Sequence, residues 1–158
     1  VGVSTATTAT QVSENWEQLK LREKGGNKRV LSGVPSGLPS IVKAYRIQEK
    51  ARNVGFEWDD AAGAWEKLLE EIAELKVELD NGNHDLAEAE LGDLLFATIN
   101  VARMNGLSPD NALERTNQKF IRRFNYVEEG AIAAGQNLKD MTLEAMDALW
   151  NEAKSKGL

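Results

Sequence analysis

The sequence predicts an all-α fold: a helical bundle of four to five main helices with short loops, completed by dimerisation. Three observations predict it. Apolar residues recur at helical spacing through most of the chain, no segment keeps the β-branched alternation of a half-buried strand, and Gly, Asn and Pro clusters punctuate the periodic stretches.

Residues 1–12 are mostly Thr, Ala, Ser and Gln, too poor in apolar side chains to offset the entropy of ordering, and read as a disordered tail. Ser13 then offers an N-cap, with Glu14 and Glu17 in the first turn and Lys20, Arg22 and Lys24 near the end, a charge order that suits the helix dipole. Gly25-Gly26 stops this short helix, and the Gly- and Pro-containing stretch to Gly37 reads as a connector, so 13–37 forms one region ahead of a domain over 38–158. Pro39 suits the first turn of a helix running to about Asn53 and ended by Gly55. A long helix follows over Asp60 to Asp80, with Trp65, Leu68, Leu69, Ile72, Leu75 and Leu79 as its expected core stripe. Asn81-Gly82-Asn83 is the turn into a helix over Asp85 to Met104, which Asn105-Gly106 ends. Ser108-Pro109-Asp110 opens the next helix, to about Ala134, and a last one runs from Thr142 to about Lys156.

Composition narrows the chemistry. The 158 residues hold 19 Lys plus Arg against 25 Asp plus Glu, a net charge of −6, with one His and no Cys. Disulfides, thiolate metal sites and a cysteine nucleophile are excluded, and His84 alone cannot build a multi-histidine site, so metal chemistry has to use carboxylates. His84 itself reads as a surface turn residue. An acidic chain also lacks the concentrated basic charge of a general nucleic-acid binder. No apolar run approaches the ~20 residues that span a bilayer, and the first residues lack the basic and apolar parts of a signal peptide. The expectation is a cytoplasmic protein acting on small molecules, without nucleic-acid or membrane partners. The chain starts at Val1 and therefore reads as processed or cut from something longer.

Carboxylates form the most informative pattern. Glu71 and Glu74 are three apart on one predicted helix, and Glu90 and Asp93 are three apart on the next, so each helix presents a pair on one face. Antiparallel packing through the Asn81 turn brings the pairs together, an arrangement that suits a hard divalent cation such as Mg²⁺ or Mn²⁺. Glutamates at this spacing, including Glu66, Glu70 and Glu78, taken alone read as a solvated face. Asp93 argues otherwise, because it sits inside LLFATINVA and its flanking Leu91-Gly92, a segment apolar nearly all round that reads as a buried helix; a carboxylate buried there needs a cation. Gly92 beside it weakens the helix by about 1 kcal/mol relative to Ala, which suggests a close approach to the backbone.

Those residues resemble the E-E-x-x-E…E-x-x-D signature of the MazG nucleoside triphosphate pyrophosphohydrolases, in the all-α NTP pyrophosphatase group. The resemblance extends to Asn15-Trp16-Glu17, the Val34-Pro35…Leu38-Pro39 connector, Val54-Gly55-Phe56-Glu57-Trp58, the segment from Thr116 to Phe124 (TNQKFIRRF) and the terminal Leu149-Trp150 helix, and so covers roughly residues 13–156. It is to the C-terminal half of a two-domain MazG; this chain has only the tail in place of the N-terminal domain. The resemblance implies metal ligation by Glu71, Glu74, Glu90 and Asp93, and triphosphate contacts from Lys119 and Arg123 with Trp150 and Lys154 from the last helix. It also implies a homodimer with the site close to the interface, and broad NTP and dNTP hydrolysis in nucleotide-pool housekeeping.

The basic residues make sense by spacing too. Lys119 and Arg123 share a helix face and can meet a polyanion, Arg123 in bidentate fashion, whereas Arg122 points about 100° away. The competing reading is a solvated basic face paired with Glu114 or Glu128. Trp150 and Lys154, one turn apart, suit a base and a phosphate, although a Trp in line with Leu143, Met146 and Leu149 also reads as core.

The expected reaction is metal-assisted hydrolysis of a nucleoside triphosphate to monophosphate and pyrophosphate. Water is the nucleophile, either Glu70 or a ligand carboxylate accepts its proton, and Lys119 and Arg123 neutralise phosphoryl charge. Two rivals stand beside it: a carboxylate-bridged di-iron or di-manganese bundle, disfavoured because its Glu-x-x-His pattern is missing, and a non-catalytic dimerising helical module. Dimerisation also follows from the helix over 85–104, which is apolar on more faces than one short chain can cover.

Overall fold

The chain's architecture was taken from a computed structural model that describes residues 9–23 and 29–158. The described residues form six α-helices and no strand, in the order α1 (Ala9–Glu23), α2 (Ser40–Asn53), α3 (Ala61–Asp80), α4 (His84–Met104), α5 (Pro109–Ala133) and α6 (Leu143–Ser155), with short 3₁₀ turns at Val30–Gly33 and Leu138–Asp140. The chain divides into two compact units, Val1–Pro109 and Asp110–Leu158. No described helix is long and apolar enough to cross a membrane.

Helix boundaries follow the local chemistry. Asp60 caps α3 by accepting the Gly63 N–H at 3.1 Å, Asn83 caps α4 through the Leu86 N–H, and Thr142 caps α6 through the Ala145 N–H. Left-handed Gly82 lies in the turn between α3 and α4. The start of α1 differs from expectation: it begins at Ala9, so Ser13 lies inside the helix and is not its cap, and residues 9–12 are helical. The rest of the expected tail, and the Gly25-Gly26 stop, lie outside the described residues. Ala and Gln extend a helix at little cost, and tertiary contacts anchor this one. Glu17 is paired with Lys50 at 3.2 Å and with Arg46 at 3.4 Å, which ties α1 to α2.

In the first unit α3 and α4 make the most extensive contact, α2 packs on α4, and α1 packs on α2. A line of buried and half-buried residues runs along α3 through Ala64, Leu68, Glu71, Leu75 and Glu78, and another along α4 through Ala87, Glu90, Leu94, Ala97 and Val101, with buried Ile99 off that line. Both series step alternately by three and four residues, the spacing of two helices packed along one seam. The expected α3 stripe is thereby corrected. Leu68 is buried and Leu75 half-buried, but Trp65, Leu69, Ile72 and Leu79 are exposed, because the inward line lies about 100° round the helix from most of the large apolar side chains.

A buried polar network fastens the Val54–Trp58 loop to α4. The Arg103 guanidinium, with a side chain only 6% exposed, pairs in bidentate fashion with Glu57 at 2.6 and 2.9 Å and donates to Asn100 Oδ1 at 2.6 Å. Gln48 joins it, accepting from Arg103 Nε at 3.4 Å and donating to the Phe96 carbonyl at 3.0 Å.

The second unit joins α5 and α6 around Val127, Ala131 and Ala153, all buried. Gly130 permits a close approach there: a Cβ on it would stand 2.8 Å from Leu149 Cδ2.

Candidate functional site

Glu71 and Glu90 occupy the α3–α4 seam in positions that would ordinarily hold apolar side chains. Glu71 is 5% exposed and Glu90 is half-buried. With Asp93 they place one carboxylate oxygen each within 4.8 Å of one another. Glu74, half-buried one turn after Glu71, interacts with both Glu71 and Glu90. The structure therefore gathers all four predicted carboxylates at one end-to-end stretch of the hairpin.

One expectation about them is corrected. Asp93 is exposed, as are Leu91, Leu95 and Phe96, so α4 is not buried all round and the buried charge is that of Glu71. Counting apolar residues around a helix does not reveal how many of its faces have neighbours in the same chain. Gly92 likewise faces open space, with nothing within 4 Å of where its Cβ would stand, so no close backbone approach explains it.

The electrostatics are those of a crowded anionic site. Lys67, one turn before Glu71, lies 3.0 Å from Glu71 Oε1 and 3.5 Å from Glu70 Oε2. Its hydrogen bond holds the Glu71 carboxyl below the usual range, against burial, and the Lys67 ammonium is raised in turn. Proton sharing with Glu71, then partial burial, then the charges of Glu71 and Glu90 push Glu74 up to about 7. When the group is ionised, Glu71 Oε2 and Glu90 Oε2 are buried with no hydrogen-bond donor. Buried, unpartnered carboxylate oxygens in an all-oxygen cluster fit a hard divalent cation. Lys67 escaped the sequence reading although its spacing of four from Glu71 and three from Glu70 was visible; its value appears only once Glu71 is known to be buried.

A pH dependence follows for the cation-free chain. The folded-state pKa of Glu74 is raised, so between about 4.5 and about 7 the folded state holds a proton that the unfolded state has lost. That contribution to stability is complete below this window and disappears as pH rises through it. Thermal melts in chelator should fall from pH 5 to pH 8, and Glu74→Gln should flatten the decline; a wild-type decline persisting in Glu74→Gln would refute the assignment.

The basic and aromatic residues lie in the second unit. The Arg123 guanidinium carbon sits 5.6 Å from the Trp150 ring centroid, and Phe120 packs on the same indole at 5.1 Å and 52°. Phe124 stacks on Phe120 at 6.0 Å. Arg123 Nε donates to a main-chain oxygen of Leu158, the last residue of the sequence, at 2.8 Å. Exposed Lys119 instead lines a shallow hollow of about 460 Å³ with Arg115 and Arg122, while Lys154 is exposed one turn beyond Trp150. Among the described residues none of Arg115, Lys119, Arg122 and Lys154 has an Asp or Glu carboxylate within ion-pair distance. The expected alternative pairing with Glu114 is not made; Glu114 accepts from Gln118 at 2.7 Å. Trp150 is half-buried against Phe120, intermediate between the core and ligand-facing readings.

Residues 62–128 match the MazG nucleotide pyrophosphohydrolase domain. Over those residues the chain is similar to that domain. The match takes in Glu70, all four clustered carboxylates, Lys119 and Arg123, while Trp150 and Lys154 lie beyond it. The chain is 37% identical over 155 residues to the nucleoside triphosphate pyrophosphohydrolase of Escherichia coli K12, an alignment covering 96% of this chain and 59% of that protein. It is 39% identical over 142 residues to the nucleoside triphosphate pyrophosphohydrolase/pyrophosphatase MazG of Thermotoga maritima, covering 89% of this chain and 54% of the relative. An uncharacterized Bacillus subtilis protein, YabN, is 48% identical over 145 residues, 90% of this chain and 30% of that protein. The chain thus spans between 30% and 59% of the length of these relatives.

Proposed function

We propose that the chain catalyses metal-dependent hydrolysis of nucleoside triphosphates, ribo and deoxy, to the monophosphate and pyrophosphate, as part of nucleotide-pool housekeeping. The observation that carries this is the carboxylate cluster inside the residues that match the MazG domain, with two buried carboxylate oxygens lacking donors. Glu71, Glu74, Glu90 and Asp93 would hold Mg²⁺, or Mn²⁺ in its place. The cation would supply Lewis-acid activation of water and neutralise phosphoryl charge. Lys67 keeps Glu71 ionised and so ready to ligate. Glu70, exposed and 3.5 Å from Lys67, or one of the ligand carboxylates accepts the water's proton. Lys119 and Arg123 bind and neutralise phosphate oxygens, Lys154 adds a further cation, and Trp150 lies beside the nucleotide base. That Lys119 and Lys154 have no Asp or Glu partner among the described residues, in a chain of net charge −6, supports a polyanionic ligand. An all-oxygen donor set, with His84 fully exposed outside it, favours Mg²⁺ over the di-iron alternative.

A homodimer in the cytoplasm completes the proposal. Its support is the exposure of Trp65, Leu69 and Ile72 on α3 and of Leu91, Leu95 and Phe96 on α4, combined with a core whose buried apolar residues are mainly alanines. Sedimentation at micromolar concentration should give a dimer; a clean monomer would exclude it. The reaction is tested with the eight common NTPs and dNTPs, scored for monophosphate and pyrophosphate with Mg²⁺ and with chelator. Release of orthophosphate in place of pyrophosphate, or equal rates in chelator, would overturn the proposal.

A further inference from the structure

We infer that Gly157 is a positioning residue for nucleotide binding: its left-handed turn brings the main-chain oxygen of Leu158 to Arg123 and fixes the guanidinium fork before a phosphate arrives. The inference rests on the phosphate-binding role proposed above for Arg123. Helix α6 ends in a paired capping arrangement, with the Gly157 N–H donating to the Lys154 carbonyl at 3.0 Å and the Leu158 N–H reaching back to the Ala153 carbonyl at 3.1 Å. Ala153 is fully buried, so the turn is anchored in the interior of its unit. Gly157 has φ +80°, which a β-branched residue resists and which Asn tolerates.

A main-chain oxygen of Leu158, the last residue of the sequence, takes the Arg123 Nε–H at 2.8 Å, while the indole of Trp150 supports the guanidinium at 5.6 Å. Nε is therefore occupied, and Nη1 and Nη2 carry no hydrogen bond or ion pair among the described residues. Those two groups are the edge that binds a phosphate in bidentate fashion. An arginine held in this way has already lost the rotamer freedom that binding would otherwise remove, so the cap acts on affinity and not on the chemical step.

The test compares the wild-type chain, Gly157→Val and Gly157→Asn, each with Arg123 intact and with Arg123→Ala. Two quantities are read: KM and kcat for Mg²⁺-dependent pyrophosphate release from ATP, and Kd for inorganic pyrophosphate by calorimetry, which needs no turnover. A Cβ at Gly157 meets nothing within 4 Å, so an effect of Val acts through the backbone and not through a clash. Gly157→Val should raise KM and Kd roughly three- to tenfold, with kcat within about twofold of wild type. Gly157→Asn should restore both constants, and Val should add nothing in the Arg123→Ala background. Unchanged KM and Kd in Gly157→Val, an equal rise in Gly157→Asn, or a rise that persists without Arg123 would each overturn the inference. A chain that shows this pattern in pyrophosphate binding but hydrolyses no triphosphate would overturn the hydrolase proposal and leave the inference standing.

Discussion

Glu71→Ala should abolish Mg²⁺-dependent pyrophosphate release, with a loss greater than about 100-fold, the size of effect that even an outer partner of a metal ligand can have. Glu71 is the buried member of the cluster, lies in the α3–α4 seam, and has one oxygen on Lys67 and the other without a donor. The same substitution should erase stabilisation by Mg²⁺. At about 100 times its Kd, a ligand that binds only the folded state adds about 2.7 kcal/mol. For a chain of this length that is a rise of roughly 5–10 °C in Tm. Glu71→Gln, which keeps the seam filled, should lose both effects as well, separating charge from packing. Activity and a wild-type Mg²⁺ shift in either variant would remove Glu71 from the proposed site.

The second large effect is on stability. Arg103→Met should destabilise the fold by about 3 kcal/mol, because breaking a buried ion pair leaves its partner uncompensated. That corresponds to a fall of roughly 6–12 °C in Tm. Arg103 pairs with both oxygens of Glu57, of which Oε1 also accepts the Trp58 N–H at 3.1 Å, and it satisfies Asn100 and Gln48 as well, so one deletion removes a donor from three side chains at once. The cost should be partly recovered in Arg103→Met with Glu57→Leu, since an apolar pair replaces a buried ionic one at little expense. Urea unfolding of the two single variants and the double variant reads the coupling directly. A loss below about 1 kcal/mol for Arg103→Met would mean that water reaches the network.

Helix identity was legible because its signals are local: Asp60, Asn83 and Thr142 cap the helices that follow them. The pairing of Glu71 with Glu74 and of Glu90 with Asp93 was also local, and a three-residue turn leaves α4 little choice but to fold back on α3. The inward face was harder to read. The large residues Trp65, Leu69 and Ile72 suggested one line, whereas the buried line runs through Ala64, Leu68 and Glu71. Asp93 was misread for the same reason, since Leu91, Leu95 and Phe96 are apolar without being covered by this chain. The Arg103–Glu57 pair joins residues 46 apart in sequence and has no local signature.

The short turn at Asn81-Gly82-Asn83 also bears on the order of folding. Every carboxylate of the cluster lies between Glu71 and Asp93, so bringing them together closes a loop within a single helical hairpin. Loop-closure entropy rises only slowly with length and is smallest for such local pairings, which form on fast timescales. The cation pocket can therefore assemble before the more distant contacts of α1 and α2 are made. Lys67, carried on the same helix as Glu71, supplies a counter-charge from the outset, so this early hairpin can bury its glutamate without waiting for metal. On the proposed function, metal loading would then be an event of the folded protein, in contrast to small domains that remain unfolded until their ion binds.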